Sequence, residues 1–286
     1  MASALLRPRA DRAQRSTFRI RRCIIGRVRA LIGRCAVPSR RRQLLVWARL
    51  TEGEVVVNLS GKVFAVSGGF GVLGRAVAAT LAGYGATVAS VDFVAAPTTG
   101  QAAGVHHYGG VDLADEGSAN SVMGRIVQDT GRLDGLINIA GGFHWEKLEG
   151  GSLETWDSMY RINLRTAVVA CKTALPYLVK SGTGRIVNIG AMGAVKAGAG
   201  MASYAASKAG VAKLTEALAE ELKDREVTVN AILPSMIDTP RNRLDMPDAD
   251  FSRWVAPSAI AEVIAFLVSD AAAAVTGALI PVAGRV

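Results

Sequence analysis

Residues 62–74 read Lys62-Val63-Phe64-Ala65-Val66-Ser67-Gly68-Gly69-Phe70-Gly71-Val72-Leu73-Gly74, and this stretch decides the fold. Lys62 to Ser67 is a short apolar run of strand length. It passes directly into four glycines within seven residues, and a helical pattern follows from about Arg75 to Ala82. Strand, glycine loop, helix is the layout of a dinucleotide site. Glycine lets the backbone turn tightly and approach a pyrophosphate, and the helix N-terminus offers free N–H groups to the anion. A plain glycine-rich turn has the same composition, so the rest of the chain must supply the context.

Downstream, strand and helix patterns alternate. Thr87 to Val91 reads as the second strand, with Asp92 directly after it. An acid in that position accepts hydrogen bonds from ribose hydroxyls and repels a 2′-phosphate, which favours NAD(H) over NADP(H). The third strand is expected to end at Val111, with Asp112 and Leu113 beside the adenine, and Ser118 to Val127 reads as a helix. Leu133 to Ile139 is the fourth strand, closed by Ala140-Gly141-Gly142. Leu153 to Val179 reads as one long helical stretch, Arg185 to Ile189 as the fifth strand and Val227 to Leu233 as the sixth. Pro234 to Trp254, with three prolines, reads as a long polar loop of the kind that serves as a lid. Ala259 to Val268 is a helix and Ala278 to Val282 the last strand. Buried runs rather than alternating ones imply a parallel sheet covered on both faces. The fold expected is α/β: a single doubly wound, Rossmann-type parallel sheet over residues 59–286.

The chemistry points to Tyr204-Ala205-Ala206-Ser207-Lys208, inside an apolar-periodic run that continues through Val211, Leu214, Leu218 and Leu222. Residues four apart share a helix face, so the phenol and the ammonium point the same way. A cation beside a tyrosine favours the phenolate and lowers its pKa, which suits proton transfer to or from a substrate oxygen. A surface Tyr and Lys on an amphipathic helix is the plain alternative; the glycine loop upstream favours the functional one. Asn163, mid-way along an apolar helical stretch, needs a hydrogen-bond partner, either as a satisfied core amide or as a water anchor in a proton relay.

Charge divides the chain. Of its 286 residues, the first 60 hold 14 Arg against Asp11, Glu52 and Glu54, whereas residues 61–286 hold 19 basic and 21 acidic side chains. The body therefore has no nucleic-acid-like excess. Residues 1–58 form an Arg-rich extension with three readings: a poorly ordered tail, a mitochondrial transit peptide, or a basic arm for nucleic acid or anionic lipid. Cys23, Cys35 and Cys171 suit neither a disulfide framework nor a zinc site. That favours a reducing compartment, the cytoplasm, or the mitochondrion if the N-terminus is a transit peptide. No metal is expected, and no run has the length of a transmembrane segment.

In order, the glycine loop, Asp92, Ala140-Gly141, Asn163 and Tyr204…Lys208 resemble the classical short-chain dehydrogenase/reductases over essentially all of residues 60–286. The resemblance implies NAD(P)-dependent hydride transfer between the nicotinamide and a small-molecule carbonyl/alcohol or quinonoid substrate. It makes Tyr204 the general acid/base, Lys208 the ribose ligand that depresses the Tyr204 pKa, and Asn163 the holder of a relay water. It assigns to the cofactor Gly68, Phe70, Gly71, Leu73, Gly74, Asp92, Asp112, Leu113, Ala140, Gly141, Pro234, Ile237 and Thr239, besides Tyr204 and Lys208. It also implies a homo-oligomer, dimer or tetramer, joined through the long helices.

Three departures stand out. Gly71 lies one place before the family's middle glycine, where this chain has Val72; Ile139 replaces a cofactor-contacting Asn; and Ala191 stands thirteen residues before Tyr204, where the family has its catalytic Ser. Dihydropteridine reductases share the G-G-x-G-x-L-G loop, lack that Ser and keep Tyr-x-x-x-Lys. The stretch Asp238-Thr239-Pro240, Asn242-Arg243, Met246-Pro247, Ala249-Asp250-Phe251, Trp254 also looks like theirs. A longer apolar final helix and the Ala191–Met201 loop set this chain apart from them. Phe143, His144, Trp145, Met192 and Trp254 are candidates to line an apolar substrate pocket, with ordinary packing as the alternative for each. The missing Ser leaves a second function class, a non-catalytic NAD(H)-binding sensor; the retained Tyr204, Lys208 and Asn163 weigh against it.

Overall fold

The computed structural model describes residues 57–98 and 102–286. Residues 1–56, and with them the three readings of the Arg-rich extension, lie outside the described residues. The first strand, β1 (Val63–Ser67), is buried along its whole length. Phe64 and Val66 project into one hydrophobic cluster and Val63 and Ala65 into another, on the opposite side. A strand with both faces covered has no polar side to show, which is why its sequence is continuously apolar.

The sheet has seven parallel strands in the order β3-β2-β1-β4-β5-β6-β7. After β1 come α1 (Val72–Gly83), β2 (Thr87–Val91), β3 (Val105–Tyr108), α2 (Glu116–Thr130) and β4 (Gly135–Asn138). There follow α3 (Leu153–Met159), α4 (Thr166–Lys180), β5 (Gly184–Ile189), α5 (Ala202–Leu222), β6 (Val227–Pro234), α6 (Pro240–Asp245), α7 (Pro257–Leu267) and β7 (Leu279–Val282). Helices α1 and α7 cover one face; α2, α4 and α5 cover the other. The strand order reverses between β1 and β4, so the connections leaving these two strands diverge and open a crevice at their C-terminal ends. The opposite end is held by Asp134, which is 1% exposed and accepts from the Val63 N–H (2.9 Å) and from two Arg132 nitrogens (2.8 and 2.6 Å).

Four elements differ from the sequence reading, each for a local reason. Helix α1 begins at Val72, not Arg75, because extended Gly71 (φ −71°, ψ 171°) is its N-cap. Strand β3 ends at Tyr108, before Gly109 and Gly110, the latter at φ 72°. The stretch from Leu153 is not one α-helix: residues Tyr160–Arg165 form a π-helical turn between α3 and α4, with Asn163 buried within it. Pro234–Trp254 is not an open loop. Thr239 caps α6 by accepting from the Asn242 N–H, Pro240 occupies the first turn, and a parallel bridge from Ile237 to Val255 closes the base of the segment.

Candidate active site

A cleft of about 990 Å³ opens at the C-terminal ends of the central strands. Its floor is the glycine loop. Gly68 sits at φ +63°, and a Cβ there would lie 2.9 Å from the Ala140 nitrogen. At Gly74 a Cβ would lie 2.1 Å from the Gly68 oxygen. These two glycines are required by the protein itself. Gly71 is different: its φ is negative, and a Cβ would meet only the Gly68 oxygen, at 3.4 Å. Gly71 lines the cleft at the start of a twelve-residue helix, where unpartnered N–H groups favour an anion. A bare backbone at a helix N-terminus beside a long crevice fits the pyrophosphate of a dinucleotide. Val72, 46% exposed, also lines this floor.

Phe70 and Leu73 complete the loop's contribution to the cleft. The Asp92 carboxylate, at the end of β2, accepts from the Phe70 N–H (2.9 Å), so the loop and the strand end hold each other. Phe93 and Val94 follow along the cleft wall, exposed and apolar. Asp112 lines the same end and accepts from the Ala114 N–H (2.9 Å) and from Arg161 (2.5 Å), while buried Leu113 lies beside it. On the other side of β1, the Ser67 hydroxyl accepts from the N–H groups of Ile139 (3.0 Å) and Ala140 (3.1 Å). That pins Ala140 and Gly141 to the cleft wall. Pro234, at the end of β6, and Ile237 and Thr239 after it line the cleft as well.

Tyr204 and Lys208 reach the cleft from one face of α5. Lys208 is 5% exposed and donates to the Ile189 carbonyl at 2.8 Å. Burial disfavours both charged forms: it pushes the Tyr204 phenol up to about 12 and the Lys208 ammonium down to about 8. The sequence argument had the lysine lowering the tyrosine. Here one of the three ammonium donors goes to a backbone carbonyl, and burial is what raises the phenol. Ala191, 6% exposed, also lines the cleft, in the place where a hydroxyl was missed.

Asn163 lies behind this wall. Its carbonyl oxygen accepts from the Gly142 N–H (2.9 Å), and its amide donates to the Gly142 oxygen (3.1 Å) and the Ser207 hydroxyl (3.0 Å). Ser207 in turn donates to the Tyr204 carbonyl (2.7 Å). Both amide N–H groups are therefore used on protein partners, the satisfied-core reading, and the chain Gly142–Asn163–Ser207–Tyr204 fixes the helix that carries the phenol. Gly141 is packed on the same groups: a Cβ there would lie 2.4 Å from the Asn163 oxygen.

Of the five candidate pocket residues, only Phe143 lines the cleft. Its ring meets Tyr204 edge-on, centroids 5.0 Å apart at 83°. The Trp145 indole instead donates to the Ala199 carbonyl (3.0 Å), and Trp254 packs on Phe251 at 4.7 Å. An indole N–H and a large ring both find partners more cheaply in neighbouring loops than in a wet cleft. His144 and Met192 lie off the cleft as well. Sequence reasoning missed Ser67, Arg75, Arg161, Ser207 and Arg241. Ser67 had a signal, a hydroxyl between strand and glycine loop; Arg161 and Ser207 depend on contacts with the distant Asp112 and Asn163.

The profile of the family described as short chain dehydrogenase matches residues 62–249. A 3-oxoacyl-(acyl-carrier-protein) reductase of Thermotoga maritima is 31% identical over 244 residues, covering 80% of this chain and 98% of its own. A 2,5-dichloro-2,5-cyclohexadiene-1,4-diol dehydrogenase of Sphingobium indicum is 35% identical over 240 residues, 79% of this chain and 96% of its own. A D-threitol dehydrogenase of Mycolicibacterium smegmatis is 34% identical over 235 residues, 77% of this chain and 90% of its own.

Proposed function

The chain belongs to the short-chain dehydrogenase family, a family of nicotinamide-dependent oxidoreductases, and from that premise we propose that it is an NADH-preferring reductase of carbonyl or quinonoid compounds. The observation that carries this reading is the pair Tyr204 and Lys208, facing the same cleft as the glycine floor, with apolar Ala191 beside them. A bound nicotinamide dinucleotide supplies the hydride. The chain's own residues bind it, orient the substrate and move one proton.

Gly68, Gly71 and Gly74 shape the floor for the pyrophosphate, and the N–H groups of α1 face its charge. Asp92 accepts from the ribose of the adenosine half and repels a 2′-phosphate, so NADH is preferred. Asp112, Leu113, Ala140 and Gly141 line the dinucleotide's path, with Phe70, Leu73, Pro234, Ile237 and Thr239 closing it. Lys208 holds the nicotinamide ribose. Tyr204, pushed up to about 12, keeps its proton throughout the neutral range and is the acid that protonates the substrate oxygen. Asn163 positions Tyr204 through Ser207. No hydroxyl at residue 191 shares the load, so the substrate must bring an oxygen that is already activated. That is the case for the branch resembling dihydropteridine reductase. The chemistry also agrees with a relative whose name describes an unsaturated six-membered ring diol. The retained Tyr204 and Lys208 are a proton-transfer pair that an NAD(H) sensor has no use for. A dimer or tetramer packed through α4 and α5 belongs to the same reading, and light scattering of the purified protein measures it.

The test is NADH absorbance with the full chain against 1,4-naphthoquinone, an activated dicarbonyl and simple ketones. The expected result is turnover of the activated compounds well above that of simple ketones. Absence of turnover with every acceptor overturns the reductase reading.

A further inference from the structure

Two loops meet beside Tyr204, and each is tied down. In the loop after β4, Gly142 is held in both directions by the Asn163 amide (2.9 and 3.1 Å). Three residues on, the Trp145 indole donates to Ala199 (3.0 Å) and the Glu146 N–H to the Gly200 carbonyl (2.8 Å). Gly200 is at φ +74°, and a Cβ there would lie 2.3 Å from the indole, so the Trp145 contact requires that glycine. Phe143 stands between the two anchors, on backbone held at both ends, with its ring resting edge-on against Tyr204. Its ring is nonetheless 56% exposed, lines the cleft, and stands perpendicular to Tyr204.

A fixed aromatic ring left open to a cleft forgoes burial that it would gain by packing, and a ligand that covers it restores that burial. The Phe143 ring packs against Tyr204, Ala191 lines the same cleft, and among the described residues no hydrogen bond engages the Tyr204 phenol. We propose that Phe143 is the specificity-determining residue of the substrate site, a flat wall that selects planar conjugated rings over aliphatic carbonyl chains. The proposal rests on the reading of this cleft as a reductase site. The ligand it fits lays one ring face on Phe143 and brings one ring oxygen to Tyr204. A bulky sp³ chain gains neither the stack nor, with Ala191 in place, a second donor.

The experiment compares the full-length wild type with Phe143→Leu, which keeps an apolar cover over Tyr204 but loses the flat ring, and Phe143→Tyr, which keeps the ring. The first readout is the ratio of kcat/KM for 1,4-naphthoquinone to that for ethyl acetoacetate, with NADH. It is expected to fall about tenfold in Phe143→Leu and to recover in Phe143→Tyr. The second is calorimetric titration with 2-naphthol, which needs no turnover. Its Kd is expected to rise about tenfold in Phe143→Leu. Equal loss on both substrates means that the ring only shields Tyr204 from water, and it overturns the proposal; so does an unchanged Kd for 2-naphthol. If the wild type turns over neither substrate but 2-naphthol binding still depends on the ring, the wall stands and the reductase reading falls.

Discussion

The two halves of the cleft are built from different materials. The half proposed for the dinucleotide is backbone: Gly68 and Gly74 are fixed by contacts of 2.9 and 2.1 Å that a Cβ would make, and the helix that follows offers N–H groups rather than side chains. The half proposed for the substrate is side chain: Tyr204, Lys208, Ala191 and Phe143 hang from three separate segments that converge only in the fold. Backbone sites recognise what is common to a class of ligands, and side-chain sites recognise what differs. All three departures from the family pattern touch the cleft: Val72 and Ile139 are apolar side chains beside the glycine floor, whereas Ala191 puts a methyl where a hydroxyl was expected.

The largest effect separates the halves outright. Tyr204→Phe is expected to lower kcat about a thousandfold while the NADH Kd stays within about twofold, because one oxygen carries the proton and none of the floor. Steady-state rates and a fluorescence titration read the two numbers; a variant that keeps most of its activity removes Tyr204 as the acid. Next, within the floor, Gly74→Ala should weaken NADH binding about a hundredfold or unfold the loop, since its Cβ meets the Gly68 oxygen at 2.1 Å. Gly71→Ala, at 3.4 Å, should keep the melting temperature and lose affinity only. A matched fall in melting temperature for both would erase the distinction between the protein's own glycines and the ligand's.

Lys208 belongs to both halves, and pH exposes it. Burial holds its ammonium at about 8, so the charge is present below that value and lost above it. The NADH affinity should therefore fall about tenfold between pH 7 and 9.5, and Lys208→Met should be weak and flat across the range. The stability sign runs the other way. The unfolded chain keeps this proton up to the ordinary lysine value, so Lys208 favours the folded state increasingly from about pH 8 upward until the unfolded lysine also titrates. Tyr204, raised to about 12, opposes this above the ordinary tyrosine value, where the unfolded chain loses its proton first.

Smaller still is the cofactor choice. Asp92→Ala should narrow the NADH-over-NADPH preference about tenfold, because one carboxylate does the repelling and Arg75 lines the same cleft. Tighter NADPH binding by the unmodified protein would contradict it. The smallest effect is a gain: Ala191→Ser should raise kcat/KM for a simple ketone such as cyclohexanone about fivefold and leave naphthoquinone nearly untouched, since only the unactivated ketone needs a second donor.

What the sequence disclosed follows the same division. The glycine floor, Asp92 and the Tyr204–Lys208 spacing are local patterns, read within a few residues, and the structure brings them into one cleft. The parallel sheet covered on both faces also followed from buried apolar runs alternating with helices, whereas its strand order comes from the structure alone. The contacts that set the substrate side were not legible, because Phe143 with Tyr204 and Trp145 with Gly200 join residues more than fifty positions apart. The α6 helix was legible and passed over: Thr239 followed by Pro240 is a cap and a first-turn proline, but three prolines in a polar stretch outweighed it. The burial that raises Tyr204 was not legible either, since spacing gives direction but not burial.

The turn at Tyr160–Arg165 contains one residue more than an α-helix would hold there. It amounts to a single-residue insertion retained inside a helix, and it makes the segment respond to length changes in an unusual way. Removing one residue from an ordinary helix throws every later side chain about 100° out of phase. Removing one here would instead heal the ladder into a continuous α-helix with α3 and α4 kept in phase, so that the change falls on the turn itself, where the Asn163 amide holds Gly142. The chain would gain regular backbone hydrogen bonds and lose the bracket that holds Tyr204. A shortened protein that melts no lower and has no activity is the outcome this geometry implies, and it would mark the extra residue as serving catalysis at the expense of helical regularity.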